Sequence, residues 1–212
     1  MHFSSYHIPY AKMEQLSVTC NNLEDIVKDL ELVGTGNFSK VYKLDEDLVL
    51  KVIEDPEPVA DEIRLLTGLN GTGITPQVYY CAICSNAAFL VMEYLKGQTL
   101  LDFVDRYEDM GEIPVSFLQW LIPRLMTKLT LLHKNHIQHN DLHPGNVFVT
   151  LVDNQPIDVF LIDLGNSSAW SSNNEDFDYF ATTLINGYGV SKEVLERLTS
   201  RTVNIIDPFD PD

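Results

Sequence analysis

Apolar and polar positions change rhythm several times along the chain, and each change marks an element. Leu23, Ile26, Val27 and Leu30 recur at helical spacing behind Asn21 or Asn22 as candidate N-caps, which predicts a short helix. The pattern then turns to strands. Leu32-Val33, the tip Gly34-Thr35-Gly36-Asn37 and Val41-Tyr42-Lys43-Leu44 predict a hairpin, and Asp45-Glu46-Asp47 turns into a third strand, Leu48–Ile53, apolar except for Lys51. Pro56 and Pro58 break the chain before a helix over 59–69 with Val59, Ile63, Leu66 and Leu69 as its stripe; Gly71, Gly73 and Pro76 end it. Val78–Cys84 and Phe89–Met92 predict two more strands joined at Ser85-Asn86.

From Thr99 onward helical spacing dominates. Helices are expected over 100–107 and 115–133, the second kinked or split by Pro123. A hairpin, Val147–Val152 and Val159–Ile162 turning through Asp153-Asn154-Gln155-Pro156, precedes helices over 175–185 and 192–198 and a frayed acidic end, Asp207 to Asp212. Five strands with an inserted helix followed by a mainly helical half make an α+β chain.

The 212 residues suit one domain or two small lobes, and 45% hydrophobic residues suffice for a core. Fourteen Lys and Arg stand against 31 Asp and Glu, a net charge of −17. That balance argues against nucleic acid and disfavours anionic membrane surfaces; it is compatible with a basic partner or with solubility alone. No run of 18 apolar residues is present, so no membrane span is expected, and Met1–Tyr10 lacks the cationic and apolar regions of a secretory signal. Three cysteines, Cys20, Cys81 and Cys84, suggest a reducing compartment rather than a disulfide scaffold. Cys81 and Cys84 form a C-x-x-C without a second ligand pair, so buried strand positions are expected rather than zinc.

Three segments carry candidate chemistry. The tip Gly34-Thr35-Gly36 lets backbone N–H groups approach a phosphate chain, though hairpin tips often carry glycine for turning alone. Lys51, in an apolar strand, either snorkels from a sheet edge or is held for phosphate oxygens by a carboxylate; Glu62 can supply it, with Glu57 the weaker candidate. The densest polar stretch is His139-Asn140-Asp141-Leu142-His143-Pro144-Gly145-Asn146, between apolar flanks. Asp141 can accept a proton from a hydroxyl nucleophile, and Asn146 can offer a hard metal its amide oxygen. Asp163, ending the apolar run Val159–Ile162 before Leu164-Gly165, is placed to ligate magnesium. Taken singly, each acid would more often be a loop carboxylate.

The glycine tip, strand lysine, helix glutamate, H-N-D-L-H-P-G-N loop and D-L-G triplet occur in the order of the protein-kinase-like phosphotransferases, which the chain resembles from Glu31 to Ile185. The resemblance implies a bilobal fold with a five-stranded antiparallel N-lobe (31–95) and a truncated, mainly helical C-lobe (96–205). These follow an N-terminal extension with a short helix (1–30) and precede an acidic tail (206–212). It implies ATP and Mg2+, with Lys51 on the α- and β-phosphates paired to Glu62, Asp141 as catalytic base, and Asn146 and Asp163 on the metal. Met92-Glu93-Tyr94-Leu95 resembles the hinge: the backbone of Glu93 and Leu95 would bind adenine, and Val33, Val41, Val49 and Phe148 would enclose it with Met92 behind. Asp178 resembles the family's buried helix aspartate that anchors the catalytic loop, with Asp176 the alternative. His133, His136, His139 and His143 number enough for a metal cluster, but the same match makes His139 structural.

The departures narrow the class. Ser39 replaces a third glycine, Asn140 stands where regulated kinases carry arginine, and His143 where Ser/Thr kinases carry lysine. The loop is similar to that of aminoglycoside phosphotransferases. Fourteen residues, Leu164–Phe177, separate Asp163 from Asp178 without an Ala-Pro-Glu motif, and 27 follow Ile185, too few for the usual substrate helices. The chain is similar in economy to short bacterial effector kinases and to atypical kinases of the Bud32 and RIO types. The expectation is a minimal Ser/Thr kinase acting on a protein substrate, one with a basic surface being compatible. It would work in the cytoplasm, or in a host's cytoplasm if delivered as an effector. A small-molecule kinase and a pseudokinase binding module are the alternatives.

Overall fold

The computed structural model describes residues 2–4, 18–36, 38–54, 59–105, 113–170 and 175–206, with side chains of 2–4, 59 and 201–206 excepted. Contacts divide the chain into two units, Met1–Leu95 and Lys96–Asp212.

The first unit is a six-stranded sheet ordered β1-β5-β6-β4-β3-β2, made of β1 (His2–Ser4), β2 (Glu31–Thr35), β3 (Ser39–Lys43), β4 (Leu48–Ile53), β5 (Val78–Ile83) and β6 (Ala88–Glu93). The five predicted strands pair antiparallel, and β1 adds a short edge beyond them by pairing with β5. Apolar side chains of one face, Leu48, Leu50, Phe89 and Val91, pack with Val18 and Leu23, so α1 (Leu23–Lys28) and the turn before it cover that face. Asn22 precedes α1 without capping it; its Oδ1 instead accepts from the backbone N–H and hydroxyl of Thr19. On the other face, direct cross-strand partners make two rows: Val41, Lys51 and Leu90, then Lys43, Val49 and Met92. Opposite partners share a face, so Lys51 projects beside Val41, Val49 and Met92. Helix α2 (Val59–Gly68) turns Glu62, Ile63 and Leu66 inward.

The cysteines correct the sequence reading. Cys84, just beyond β5, forms a disulfide with Cys20, their Cα atoms 5.5 Å apart across 64 residues of chain; Cys81 keeps its thiol, buried in β5. Cysteine number and local spacing could not show that the chain before α1 returns to the end of β5. The reducing compartment inferred from that number loses its basis.

The second unit builds on α4 (Val115–Lys134). Leu118, Leu121, Ile122, Leu125, Leu129 and Leu132 are buried on both sides of Pro123, and the helix runs through that proline as one element rather than splitting. Burial of both halves outweighs the one hydrogen bond the imino acid cannot donate. Helix α3 (Leu100–Asp105) precedes it; residues 106–107, also expected in that helix, lie outside the described residues. A three-stranded sheet ordered β10-β9-β7 combines the predicted hairpin, β9 (Val147–Val152) and β10 (Gln155–Leu161), with a short strand, β7 (Gly97–Thr99), that three residues could not announce. The hairpin turns through Asp153 and Asn154 alone, both at positive φ (49° and 61°). Two such residues make the tight turn suited to strand twist. Pro156 therefore lies within β10, beside a register shift. Two-residue strands β8 (Ile137–Gln138) and β11 (Ser168–Ala169) pair with each other, and helices α5 (Glu175–Tyr188) and α6 (Lys192–Ile206) follow. The tail from 207 lies outside the described residues. Among the described residues no helix is long and apolar enough to cross a membrane.

A cross-link closing 64 residues removes enough unfolded-chain entropy to be worth about 4 kcal/mol. Thermal unfolding in dithiothreitol should therefore show a clearly lower midpoint than without it, and a Cys20→Ser, Cys84→Ser chain should reproduce the lower value in either buffer. Equal midpoints for the native chain in both buffers would contradict the cross-link.

Candidate active site

Each unit assembles part of the predicted set from its own elements. In the first, Lys51 Nζ lies 2.8 Å from Glu62 Oε1, the two side chains only 14% and 9% exposed. Strand β4 sets the lysine and the first turn of α2 the glutamate, so Glu62 is its partner; Glu57 lies outside the described residues. Val49, Met92 and Leu95 are buried, Val41 is half-buried and Val33 more open at 37%. At the hairpin tip the Gly36 N–H donates to the Ser39 carbonyl (2.8 Å), and a Cβ on Gly36 would press on Ser39 Oγ. Gly34 sits opposite Val41, and Asn37 lies outside the described residues. Glu93 ties its strand end to Gln77 twice: its N–H donates to the Gln77 carbonyl (2.9 Å) and its Oε2 accepts from the Gln77 N–H (3.2 Å).

In the second unit the polar loop is built on one buried carboxylate. Asp176 Oδ2 accepts from the His139 N–H (2.9 Å), Oδ1 accepts from the Asn140 N–H (2.8 Å), and His133 Nε2 lies 3.1 Å from Oδ2. Asp178, the first choice for this role, is exposed two residues further along the helix, so the alternative Asp176 is correct. Both precede aromatic residues in Glu175-Asp-Phe-Asp-Tyr-Phe180; only the packing of α5 decides which turns inward. Burial pushes the Asp176 carboxyl up, but the His133 side chain and the two backbone donors outweigh it and hold it below the usual carboxylate value. His139 is fully buried with Nε2 donating to the Ile162 carbonyl (3.1 Å). Burial holds its imidazole below the usual histidine value.

Asp141 and Asn146 meet through the Asn146 Nδ2, which donates to the Asp141 carbonyl (2.8 Å). Asn146 lies in a 3-10 turn over Pro144–Asn146, and its carbonyl accepts from the Ile162 N–H (3.0 Å), which ties the loop to the residue before Asp163. Asp163 is exposed at φ 60°, a conformation costly for most residues and better tolerated by aspartate. Phe148 is half-buried on β9. His143 folds back on its own turn, its Nδ1 accepting from the Gly145 N–H (3.0 Å), and a Cβ on Gly145 would collide with that ring at 2.8 Å. Among the described residues no three His, Cys, Asp or Glu side chains cluster to hold a metal ion.

The family model of the protein kinase domain matches residues 27–202. The chain belongs to the protein kinase family. Among curated protein kinases, it is 26% identical over 170 residues to Citron rho-interacting kinase of Rattus norvegicus, covering 73% of this chain and 8% of that protein. It is 28% identical over 131 residues to serine/threonine-protein kinase fray1 of Dictyostelium discoideum (57% and 23%). To CBL-interacting serine/threonine-protein kinase 16 of Arabidopsis thaliana it is 26% identical over 151 residues (65% and 31%). The chain thus spans under a third of each of these protein kinases. The family acts on proteins and in general uses ATP and Mg2+.

Asn166, Ser168 and Gln138, beside these loops, escaped the sequence reading. Asn166 Nδ2 donates to Asp141 Oδ2 (3.1 Å), Asn140 Nδ2 donates to Ser168 Oγ (2.8 Å), and Gln138 Nε2 donates to Glu175 Oε2 (3.1 Å). The only available signal was the excess of Asn, Ser and Gln beside the two loops; their pairing depends on β8 meeting β11.

Asp176→Asn should destabilise the second unit by about 3 kcal/mol, because a carboxylate that is itself buried is replaced as acceptor for two backbone donors; urea unfolding measures it. For His139 the sign follows from its lowered pKa. Below the usual value of 6.5 the unfolded chain takes up a proton that the folded chain refuses, so stability falls with pH. Asp176 adds a further loss only below 3.8. The unfolding midpoint should drop between about pH 7.5 and pH 5, and His139→Gln should flatten that slope; an unchanged slope would remove His139 as its source.

Proposed function

We propose that the chain is an ATP- and magnesium-dependent phosphotransferase acting on serine or threonine hydroxyls of a protein: a minimal kinase whose substrate docks outside a standard activation segment. The Lys51–Glu62 ion pair carries this reading. Desolvating an ammonium and a carboxylate together seldom raises stability above that of apolar packing. A lysine so held, beside Val41, Val49 and Met92 on one sheet face, suits phosphate oxygens next to an apolar floor for a base. Glu62 holds the ammonium in place. Val33, Val41, Val49, Met92 and Phe148 supply apolar contact, Glu93 and Leu95 their backbone, and Gly34 and Gly36 a tip that phosphates can approach. The net charge of −17 favours a protein acceptor over a nucleic acid.

The donor chemistry fits magnesium. Asn146 commits its Nδ2 to the Asp141 carbonyl, which leaves Oδ1 as a hard oxygen donor, and Asp163 offers an exposed carboxylate. One or two carboxylates with phosphate oxygens are the usual magnesium set. When bound, the ion neutralises phosphate charge. Asp141 accepts the proton of the substrate hydroxyl as that oxygen bonds to the γ-phosphorus and the bond to the ADP oxygen breaks; the products are ADP and a phosphoester.

A small-molecule kinase is the second reading, favoured by one observation: His143 turns into its own loop and offers no extended cation where Ser/Thr kinases carry lysine. Labelled ATP with Mg2+ and mixed protein acceptors separates the two. Label on serine or threonine, reduced about 100-fold or more in Asp163→Ala and in Lys51→Met, is the expected result. Transfer only to small alcohols would establish the second reading, and absence of nucleotide binding would leave a pseudokinase module.

A further inference from the structure

Resting on the phosphotransferase reading, we propose that Asn166 is a positioning residue for Asp141 and that Asn140 holds Asn166 in place. Asn166 lies in the turn after Asp163, closed by the Ser167 N–H donating to the Leu164 carbonyl (3.1 Å) and seated by buried Leu164. From there its Nδ2 donates to Asp141 Oδ2 at 3.1 Å. A carboxylate hydrogen-bonded at one oxygen loses rotational freedom about its side chain and presents the other oxygen in a fixed direction. A proton acceptor needs that constraint, since its efficiency depends on alignment with the attacking hydroxyl.

The donor is itself held. Asn140 Nδ2 donates to the Asn166 carbonyl (2.9 Å) and to Ser168 Oγ (2.8 Å). Asn140 adopts φ 64°, which asparagine tolerates better than most residues, while its backbone N–H is fixed by Asp176. The bonds close a ring of three residues, Asn140 to Asn166, Asn166 to Asp141, and Asp141 back to Asn140 through the peptide bond, and Asp176 anchors it at the Asn140 N–H. The residue standing where regulated kinases carry arginine thus joins the two loops by neutral amide bonds. The ring needs no added phosphate, so Asp141 is oriented in the chain as synthesised.

The isosteric substitution discriminates positioning from packing. Asn166→Asp keeps the shape of the side chain but replaces the donor with a second negative oxygen, whereas Asn166→Ala removes it. In steady-state assays kcat should fall about tenfold in Asn166→Ala with the ATP KM within about twofold of the native value, and lower still in Asn166→Asp. Asn140→Gly, which keeps the positive φ, should lower kcat in the same sense at temperatures well below its unfolding midpoint, where the chain remains folded. Asn166→Asp at or above the activity of Asn166→Ala, or an unchanged kcat with only the midpoint moving, would overturn the proposal. A native chain that transfers no phosphate would refute the functional reading instead. The contact is then still tested by NMR, since the Asn166 side-chain amide protons must shift in Asp141→Ala, and no shift overturns it.

Discussion

The second unit depends on a carboxylate that water does not reach. Asp176 is 2% exposed, and each of its oxygens accepts from a backbone N–H of the polar loop. Charged acceptors make stronger hydrogen bonds than neutral ones, and burial removes the competing solvent. The pair His139-Asn140 is therefore fixed by α5 rather than by its own local preferences, and Asn140 holds a left-handed conformation just beyond the two-residue strand β8. Asp141 and the turn to Asn146 follow from that fixed point. A neutral residue at 176 would leave two backbone donors, the buried one of His139 and the part-buried one of Asn140, with a weaker partner at the root of the loop.

The first unit uses the same device in another form. Lys51 and Glu62 come from a strand and a helix separated by the break at Pro56 and Pro58. The sheet register places Lys51 in a row with Val41 and Leu90, and α2 brings the carboxylate to it. Sheet and helix thus fix a cation among apolar neighbours. In both units a buried charge is tolerated because its partners are supplied by a different element, so tertiary structure, not local sequence, neutralises it.

The back of the sheet is covered economically. A six-residue helix is too short to be stable alone, yet α1 sits with Val18 and Leu23 in the core, and the Cys20–Cys84 disulfide pins the chain just before it. The cross-link restricts the unfolded chain where few apolar side chains hold the folded one.

Much of the fold was legible in the chain itself. Apolar runs bounded by turn residues, the apolar stripe of α2 and the long apolar face of α4 announce their elements because burial imposes those patterns. The linear order of glycine tip, lysine, glutamate, H-N-D-L-H-P-G-N loop and D-L-G announced the family, since the same chemistry draws on the same residue types in the same order. Tertiary structure alone decided whatever depends on distant segments meeting. It selected Asp176 over Asp178 by turning one face of α5 inward, joined Cys20 to Cys84 across 64 residues, carried α4 through Pro123, and brought Asn140, Asn166 and Asp141 together. Local spacing reports which residues are buried; it carries no information about which buried or polar group, dozens of positions away, will stand opposite.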